Sequence, residues 1–170
     1  ANTWLEGYVP YAVSDKEVFA AVNSNTRYRI NVFDFSGKLK YAIEKEYEKV
    51  EFAQWELDNV NKMLGYSRSK KRKYRKGYKP IKDKYKKVIN AMYYDKKGRL
   101  WVCSSMKRSK EDRHSFWVDM FKDGVFLNRF KIKGFVGDDY YKHILDSLYF
   151  KGDKIYLLVT PMALVRGYEY

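Results

Sequence analysis

The chain has 170 residues, a formal net charge of +14 and a hydrophobic content of 45%. Its length fits one domain with a core of its own, and its hydrophobic content excludes a disordered chain. The longest apolar runs, such as residues 155–159, are too short to cross a membrane, so no transmembrane segment is predicted. An aromatic content of 18% favours strands, because aromatic residues suit a half-buried pleated surface.

The first residues and the single cysteine bear on the compartment of the protein. Residues 1–11 carry neither the basic stretch nor the apolar stretch of a leader, which leaves a cytosolic protein and a protein with a removed leader as alternatives. Cys103 is the only cysteine, so an internal disulfide is excluded. Because it lies in the apolar run LWVCSS, we expect a buried, unreactive thiol.

Residues 9–47 predict four strands, because short runs rich in Val, Tyr, Phe and Ile alternate with turn residues. The runs are VPYAV, VFAAV, YRINVFDF and LKYAI. In the third run, Ile30 and Val32 fall on one face, whereas Asn31 and Phe33 fall on the other. Neither face is purely polar, which is typical of a strand sandwiched between two layers.

The region 48–66 changes to the spacing of a helix. Apolar residues recur there at steps of three and four, namely Val50, Ala53, Leu57, Val60 and Leu64. This spacing predicts one amphipathic helix. Gly65 follows the last apolar position, where helices commonly end.

The segment 67–87 contains twelve Lys or Arg residues, and its only acidic residue is Asp83, so it carries +11 of the total +14. Pro80 prevents a helix across its middle. A basic run interleaved with tyrosines can neutralise phosphates while the rings stack on bases, although a solvated insertion loop is the simpler interpretation. The candidate ligand-binding residues are Arg68, Lys70, Lys71, Arg72, Lys73, Arg75, Lys76 and Lys79.

From residue 88 the strand pattern resumes and repeats the first unit. YYDKKGRLWV (93–102) matches YFKGDKIYLL (149–158) and AVSDKEVFAA (12–21), and NVFDFSGKLKYAI (31–43) matches VDMFKDGVFLNRF (118–130). Each unit is therefore two successive hairpins, which is typical of a propeller blade. The predicted organisation is a single domain with a blade at 1–47, a helix plus basic insertion at 48–87, a blade at 88–134 and an incomplete blade at 143–170.

Three stretches link this repeat to a known family. They are DKKGRLWV at 95–102, VFDFSGKL at 32–39, and the segment 77–102, in which Tyr-Lys-Pro after a charged helical insertion leads into the strand of Trp101. Together they resemble six-bladed β-propeller proteins of bacteria, a group related to NHL-repeat and TolB-like propellers. The resemblance implies an all-β fold with about two and a half to three four-stranded blades, and an extracytoplasmic location, with a cytoplasmic one as the alternative.

A six-bladed ring does not close within 170 residues. Three explanations follow: a fragment of a longer propeller, which we favour, a homodimer that completes a six-bladed ring, and an open array of sheets. A lone half-ring would expose blade faces rich in aromatic residues, which is an aggregation hazard.

Other candidate residues have simple structural interpretations. Trp101 is explained by packing within a blade, and Asp34 and Asp95 by hairpin turns. The two histidines, His114 and His143, have no cysteine or histidine cluster around them at metal-ligand spacing. Paired carboxylates that could bind a cation or act in acid–base chemistry lie in a connector at Asp138 and Asp139. We predict no catalytic residue, metal site or cofactor.

The sequence thus favours a noncatalytic propeller that binds a protein or a polyanionic ligand through loops and the basic insertion. One alternative is a propeller enzyme of the lactonase or lyase type, which would hold a metal in the central channel near Asp138, Asp139, Asp146 and the histidines. The other alternative is a nucleic-acid-binding module, which we do not favour because a basic run alone is a weak predictor.

Overall fold

The computed structural model of the protein describes residues 9–65, 84–107, 109, 115–133, 148–151 and 154–157. Ten strands and one helix lie within them. In chain order they are β1 (Tyr11–Val13), β2 (Val18–Ala21), β3 (Tyr28–Phe33), β4 (Leu39–Lys45), α1 (Gln54–Gly65), β5 (Ile89–Tyr94), β6 (Arg99–Ser104), β7 (Ser115–Lys122), β8 (Val125–Lys133), β9 (Leu148–Lys151) and β10 (Lys154–Leu157). The predicted strands and the predicted helix are therefore confirmed, and the short run at 163–170 lies outside the described residues.

The strands form two four-stranded antiparallel sheets and one further hairpin. The first sheet has the order β1-β2-β3-β4, the second has β5-β6-β7-β8, and β9 pairs with β10. Each sheet is two successive hairpins, and α1 lies between the sheets in the chain. The all-β prediction is confirmed, with one helix in the connection between the two sheets.

Two hairpin turns are built on aspartates, as the sequence predicts. The Oδ1 atom of Asp34 accepts hydrogen bonds from the backbone N–H groups two and four residues later, at 2.9 and 3.0 Å. Asp95 repeats both bonds at 2.9 and 3.0 Å. Gly37 and Gly98 take positive φ angles of 84° and 76°, which a residue with a side chain rarely adopts. These aspartates are therefore turn residues.

The turn between β7 and β8 is a two-residue turn at Asp123 and Gly124, with φ angles of 50° and 77°. It connects the third and fourth strands of its sheet, as the turn at Gly37 does in the first sheet. A Cβ atom on Gly124 would lie 3.3 Å from the ring of Tyr41 in β4. The glycine therefore allows this turn to approach the first sheet.

The main hydrophobic core lies between the two sheets, and strand β1 lies against β5. Ile30, Val32, Val88 and Val102 in this core are 0% exposed. Ile30 and Val32, which the sequence places on one face of β3, are thus buried, whereas Asn31 and Phe33 on the other face have an intermediate exposure. The prediction that layers cover both faces of β3 is therefore met fully only on the face of Ile30 and Val32.

A second core covers the other face of the second sheet. Its buried members are Ala91, Trp101, Cys103, Phe116 and Val118. Trp101 packs edge to face against Phe130, with ring centroids 5.3 Å apart, so its predicted packing role is confirmed. Cys103 is buried as expected, and this burial, with a smaller effect of Asp119, raises the pKa of its thiol to about 12.

The two sheets have the same orientation in the stack, so that unlike faces of the two sheets meet. The turn after the first strand of each sheet is closed by a backbone hydrogen bond, whose acceptor is Glu17 in the first sheet and Arg99 in the second. Phe19 and Trp101 each lie two positions after that acceptor, so they point to the same side of their respective sheets. We call this side the front and the opposite side the back. Phe19 lies in the core between the sheets and Trp101 in the second core, so the front of the first sheet packs on the back of the second.

Candidate functional site: the stem of the basic insertion

The basic segment leaves and rejoins the fold at a short antiparallel stem. The N–H of Phe52 donates to the carbonyl of Lys84 at 3.0 Å, and the N–H of Lys86 donates to the carbonyl of Val50 at 2.8 Å. A bridge pairs the residues between them. We call residues 50–52 with 84–86 the stem and residues 53–83 the insertion. The helix and the basic run therefore form one excursion that starts and ends at one place.

The exposed side of the stem carries an ion pair. The Nζ atom of Lys84 lies 2.8 Å from a carboxylate oxygen of Glu51. Its hydrogen bond to this carboxylate raises the pKa of Lys84 above its usual value. Lys49 and Lys84 also lie 5.4 and 5.3 Å from the centroid of the Tyr85 ring. Because both members of the ion pair are exposed, the pair adds little to stability.

The inner side of the stem holds a buried ion pair between the helix and the strand that follows the insertion. Lys86 Nζ lies 2.6 Å from Glu56 Oε1, with side-chain exposures of 7% and 1%. The same ammonium donates to the carbonyl of Met106 at 2.8 Å, and the other Glu56 oxygen accepts from the N–H of Ala53 at 2.9 Å. Glu56 therefore caps the helix start and holds it on the stem.

The ion pair between Lys86 and Glu56 corrects the prediction that the whole basic run is solvated. The sequence pattern predicts that Lys86 and Lys87 belong to a solvated basic run, but they are only 6% and 5% exposed. Desolvation lowers the pKa of the Lys87 ammonium. The carboxylate that allows Lys86 to be buried comes from Glu56, which is 30 residues earlier. The only feature of the sequence that points to this partner is that Glu56 is an acidic residue in the first turn of the helix.

The helix itself begins later than its apolar spacing suggests. Val50 lies in the stem and Ala53 directly precedes α1, so neither is helical. The buried helical side chains that the structure describes are polar, Glu56 and Asn61, while Leu57 is half-buried. Among the helical side chains that the structure describes, the buried contacts are therefore polar, and Val60 and Leu64 of the predicted apolar stripe lie outside this set.

All residues predicted to bind a ligand or a metal lie outside the part of the chain that the structure describes. This holds for the candidate ligand-binding residues Arg68, Lys70, Lys71, Arg72, Lys73, Arg75, Lys76 and Lys79. It also holds for the residues of the alternative metal site, His114, Asp138, Asp139, His143 and Asp146. The stem fixes where the insertion that contains most of the basic run leaves and rejoins the fold.

A second polar cluster, which the sequence did not indicate, joins the two sheets. Asp119 in β7 is 0% exposed. Its carboxylate accepts hydrogen bonds from Arg129 at 2.6 and 3.0 Å, from Lys45 at 3.0 Å and from Ser104 at 3.2 Å. Burial alone would raise the pKa of Asp119, but the hydrogen bonds from Arg129 and Lys45 outweigh burial and lower it. A charged network therefore connects β4 to β6, β7 and β8.

The ring of Tyr28 closes one side of this cluster. Its side chain is 1% exposed, and the ammonium of Lys45 lies 5.6 Å from its ring centroid. The hydroxyl lies beside Asp119, and burial, with Asp119 as the next cause, raises its pKa well above the usual value. No described residue forms a hydrogen bond of acceptable geometry with it. The ring of Tyr28 therefore packs against the charged cluster.

Two features that would indicate a particular function are absent from the described residues. Within them, no group of three or more His, Cys, Asp or Glu side chains gathers in a way that could hold a metal ion. Their one helix is neither long nor apolar enough to span a membrane.

No protein-family model, curated protein or solved structure matched the chain when it was compared with them. The likeness to bacterial propellers therefore depends on the repeat and turn residues of this sequence.

Proposed function

We propose that the protein is a noncatalytic scaffold of the β-propeller type, which binds a polyanionic ligand through the insertion. The observation that carries the proposal is the stem, because it gathers the most basic part of the chain into one excursion on a rigid base. An extracytoplasmic location, implied by the likeness to bacterial propellers, belongs to the same proposal.

The charges of the insertion cannot be neutralised within it. Residues 53–83 contain ten Lys or Arg residues and only three acidic residues, which are Glu56, Asp58 and Asp83. Glu56 is already paired with Lys86 of the stem. The two remaining carboxylates leave at least eight positive charges in excess. Such a concentration of one sign raises the local concentration of polyanions and speeds their association.

The architecture of the sheets supports the propeller part of the proposal. Consecutive blades are four-stranded antiparallel sheets that pack one upon the next, and the two sheets of this chain stack front to back. Their first strands, β1 and β5, lie against each other, as strands nearest a common axis would. The hairpin β9-β10 forms a separate two-stranded sheet, which we assign to a third unit.

Charge reversal tests polyanion binding. We expect that replacing Lys70, Lys71, Arg72 and Lys73 with Glu lowers the salt concentration at which the protein elutes from heparin. If all four contact the ligand, the slope of log K against log salt falls by about 3 to 4 in magnitude. The melting temperature stays nearly unchanged, because these residues lie beyond the stem.

A matched control carries the same change in charge elsewhere. Its four substitutions to Glu are at exposed lysines in turns or at strand ends, namely Lys16, Lys38, Lys96 and Lys122. Retention of this control should stay close to that of the wild type. Equal retention of both variants on heparin would refute the assignment, since only the net charge would then matter. The same titration with duplex DNA and with an acidic protein distinguishes the sources of negative charge.

A further inference from the structure

We propose that the exposed side of the stem is a binding site for an acidic polysaccharide. The inference rests on the polyanion binding proposed above and names the class of that ligand. Tyr85 supplies an aromatic ring of intermediate exposure, and Lys49, which directly precedes the stem, supplies an exposed ammonium beside it. Lys84 and Glu51 supply an exposed ion pair. A ring, a cation and a carboxylate therefore meet at the base of the insertion.

The ring of Tyr85 is a group that attraction between opposite charges does not require. The stem holds its backbone in place, because a bridge pairs Tyr85 with Glu51. The ammonium groups of Lys49 and Lys84 lie 5.4 and 5.3 Å from the ring centroid. Such contacts between exposed groups are weak, so a ligand that packs on the ring can displace one ammonium. The C–H groups of a sugar pack well on the negative face of an aromatic ring, and Tyr85 therefore offers a fixed platform for one sugar of a chain.

The carboxylate of Glu51 distinguishes a polysaccharide from other polyanions. An ionised carboxylate accepts hydrogen bonds and donates none, so it fits a ligand that has hydrogen-bond donors. An acidic polysaccharide carries hydroxyl donors between its acidic groups, whereas polyphosphate has only acceptors and a nucleic acid has a charged phosphate at every nucleotide. The ammonium groups of Lys49 and Lys84 match the acidic groups. The stem therefore fits a polymer in which hydroxyl and acidic groups alternate.

The stem and the insertion have different roles in this binding. The insertion has at least eight positive charges in excess, which attract any polyanion over a long range. It starts and ends at the stem, so a polymer that is attracted by these charges is brought to Tyr85. The charge of the insertion thus concentrates polyanions, and the stem selects among them.

Titration of the full chain with three polyanions of similar charge tests the selection: a heparin oligosaccharide, a single-stranded DNA and inorganic polyphosphate. We expect Tyr85→Leu to bind the heparin oligosaccharide about 10-fold more weakly than the wild type, because the packing of a sugar on the ring is lost. Its affinity for DNA and polyphosphate should stay that of the wild type. The control is Phe35→Leu, which removes a 64% exposed ring at the turn before β4, whereas the stem follows β4. It should bind all three polyanions as the wild type does.

Glu51→Gln tests the carboxylate independently of the ring. It removes one negative charge, so the binding of DNA and polyphosphate should tighten slightly. The heparin oligosaccharide should bind more weakly, because a neutral amide accepts a weaker hydrogen bond from a hydroxyl than a carboxylate does. Opposite changes for heparin and polyphosphate are the expected result, and tighter binding of all three polyanions would overturn the role of Glu51.

Wild-type affinity of Tyr85→Leu for the heparin oligosaccharide overturns the proposal. An equal loss with heparin and DNA overturns the choice of a polysaccharide, since the ring would then stack on bases. An equal loss with all three polyanions shows that Tyr85 acts through the fold alone and also overturns it. Failure of the polyanion proposal looks different, because the wild type would then bind none of the three, or the charge-reversal variant would be retained like its control.

Discussion

Lys45 in the first sheet donates a hydrogen bond of 3.0 Å to Asp119, a fully buried carboxylate in the second sheet. The two residues are 74 positions apart in the chain. Arg129, on the strand next to Asp119, binds both carboxylate oxygens. The interface between the sheets therefore combines an apolar core with a charged network.

Removing the charge of Asp119 is expected to destabilise the protein. In Asp119→Asn, the two cations lose their counter-charge while the shape of the side chain is kept. Breaking a buried pair in this way costs about 3 kcal/mol, with lower values where the cations reach solvent, as Arg129 does at 39% exposure. Urea unfolding measures the loss. Glu44→Gln is the control, since it removes an exposed partner and should leave the midpoint almost unchanged.

The same carboxylate predicts a pH dependence. Because the folded-state pKa of Asp119 is lowered, its contribution to stability is present above the unfolded pKa of about 4 and is lost as pH falls through the folded value. The difference in unfolding free energy between wild type and Asp119→Asn should therefore be constant from about pH 5 to 7 and shrink towards pH 2. Urea midpoints of both proteins at each pH measure this difference. A gap that stays constant in acid would contradict the assignment.

Removal of the Tyr28 hydroxyl, unlike removal of the Asp119 charge, is not expected to destabilise the protein. Its buried hydroxyl has no hydrogen-bond partner among the described residues, so Tyr28→Phe removes an unsatisfied polar group and should leave stability unchanged or raise it. The matched substitution is Tyr41→Phe, because the Tyr41 hydroxyl donates to Glu17 at 3.1 Å. That variant should lose about 0.5 to 1 kcal/mol. Thermal unfolding of both proteins measures the contrast, and a marked loss in Tyr28→Phe would show that its hydroxyl is satisfied.

The elements of this fold were predictable from local patterns, whereas its polar contacts were not. Val, Tyr and Phe runs separated by turn residues mark the strands, and Asp95 followed three residues later by Gly98 marks a turn, because both signals depend on neighbours in the sequence. The partners of Asp119 and Glu56 come from residues up to 74 positions away. A single sequence with no known contacts does not identify such pairs, so the basic run around Lys86 predicts a solvated cation there.

The sequence also does not show which apolar strand residues are covered by a second layer. The alternation in β3 correctly indicates that both faces are partly apolar. Whether a second layer covers a face depends on other parts of the fold, so Val32 is 0% exposed and Leu39 is 48% exposed although both are apolar strand residues. Periodicity identifies a face, and only the packing of the sheets shows which face is covered.

The ion pair between Glu56 and Lys86 supports the last prediction. Glu56→Ala leaves a buried ammonium without its carboxylate and also removes the helix cap at Ala53, so we expect a loss of about 3 to 5 kcal/mol. In the double variant with Lys86→Met, the buried charge is gone as well, and an apolar side chain fills its place. Such a replacement of both partners is often neutral, so the double variant should recover most of the loss and retain only the cost of the cap. A double-mutant cycle by urea unfolding measures the coupling. Additive losses would mean that the two side chains do not interact, and the insertion would then have no fixed attachment through this pair.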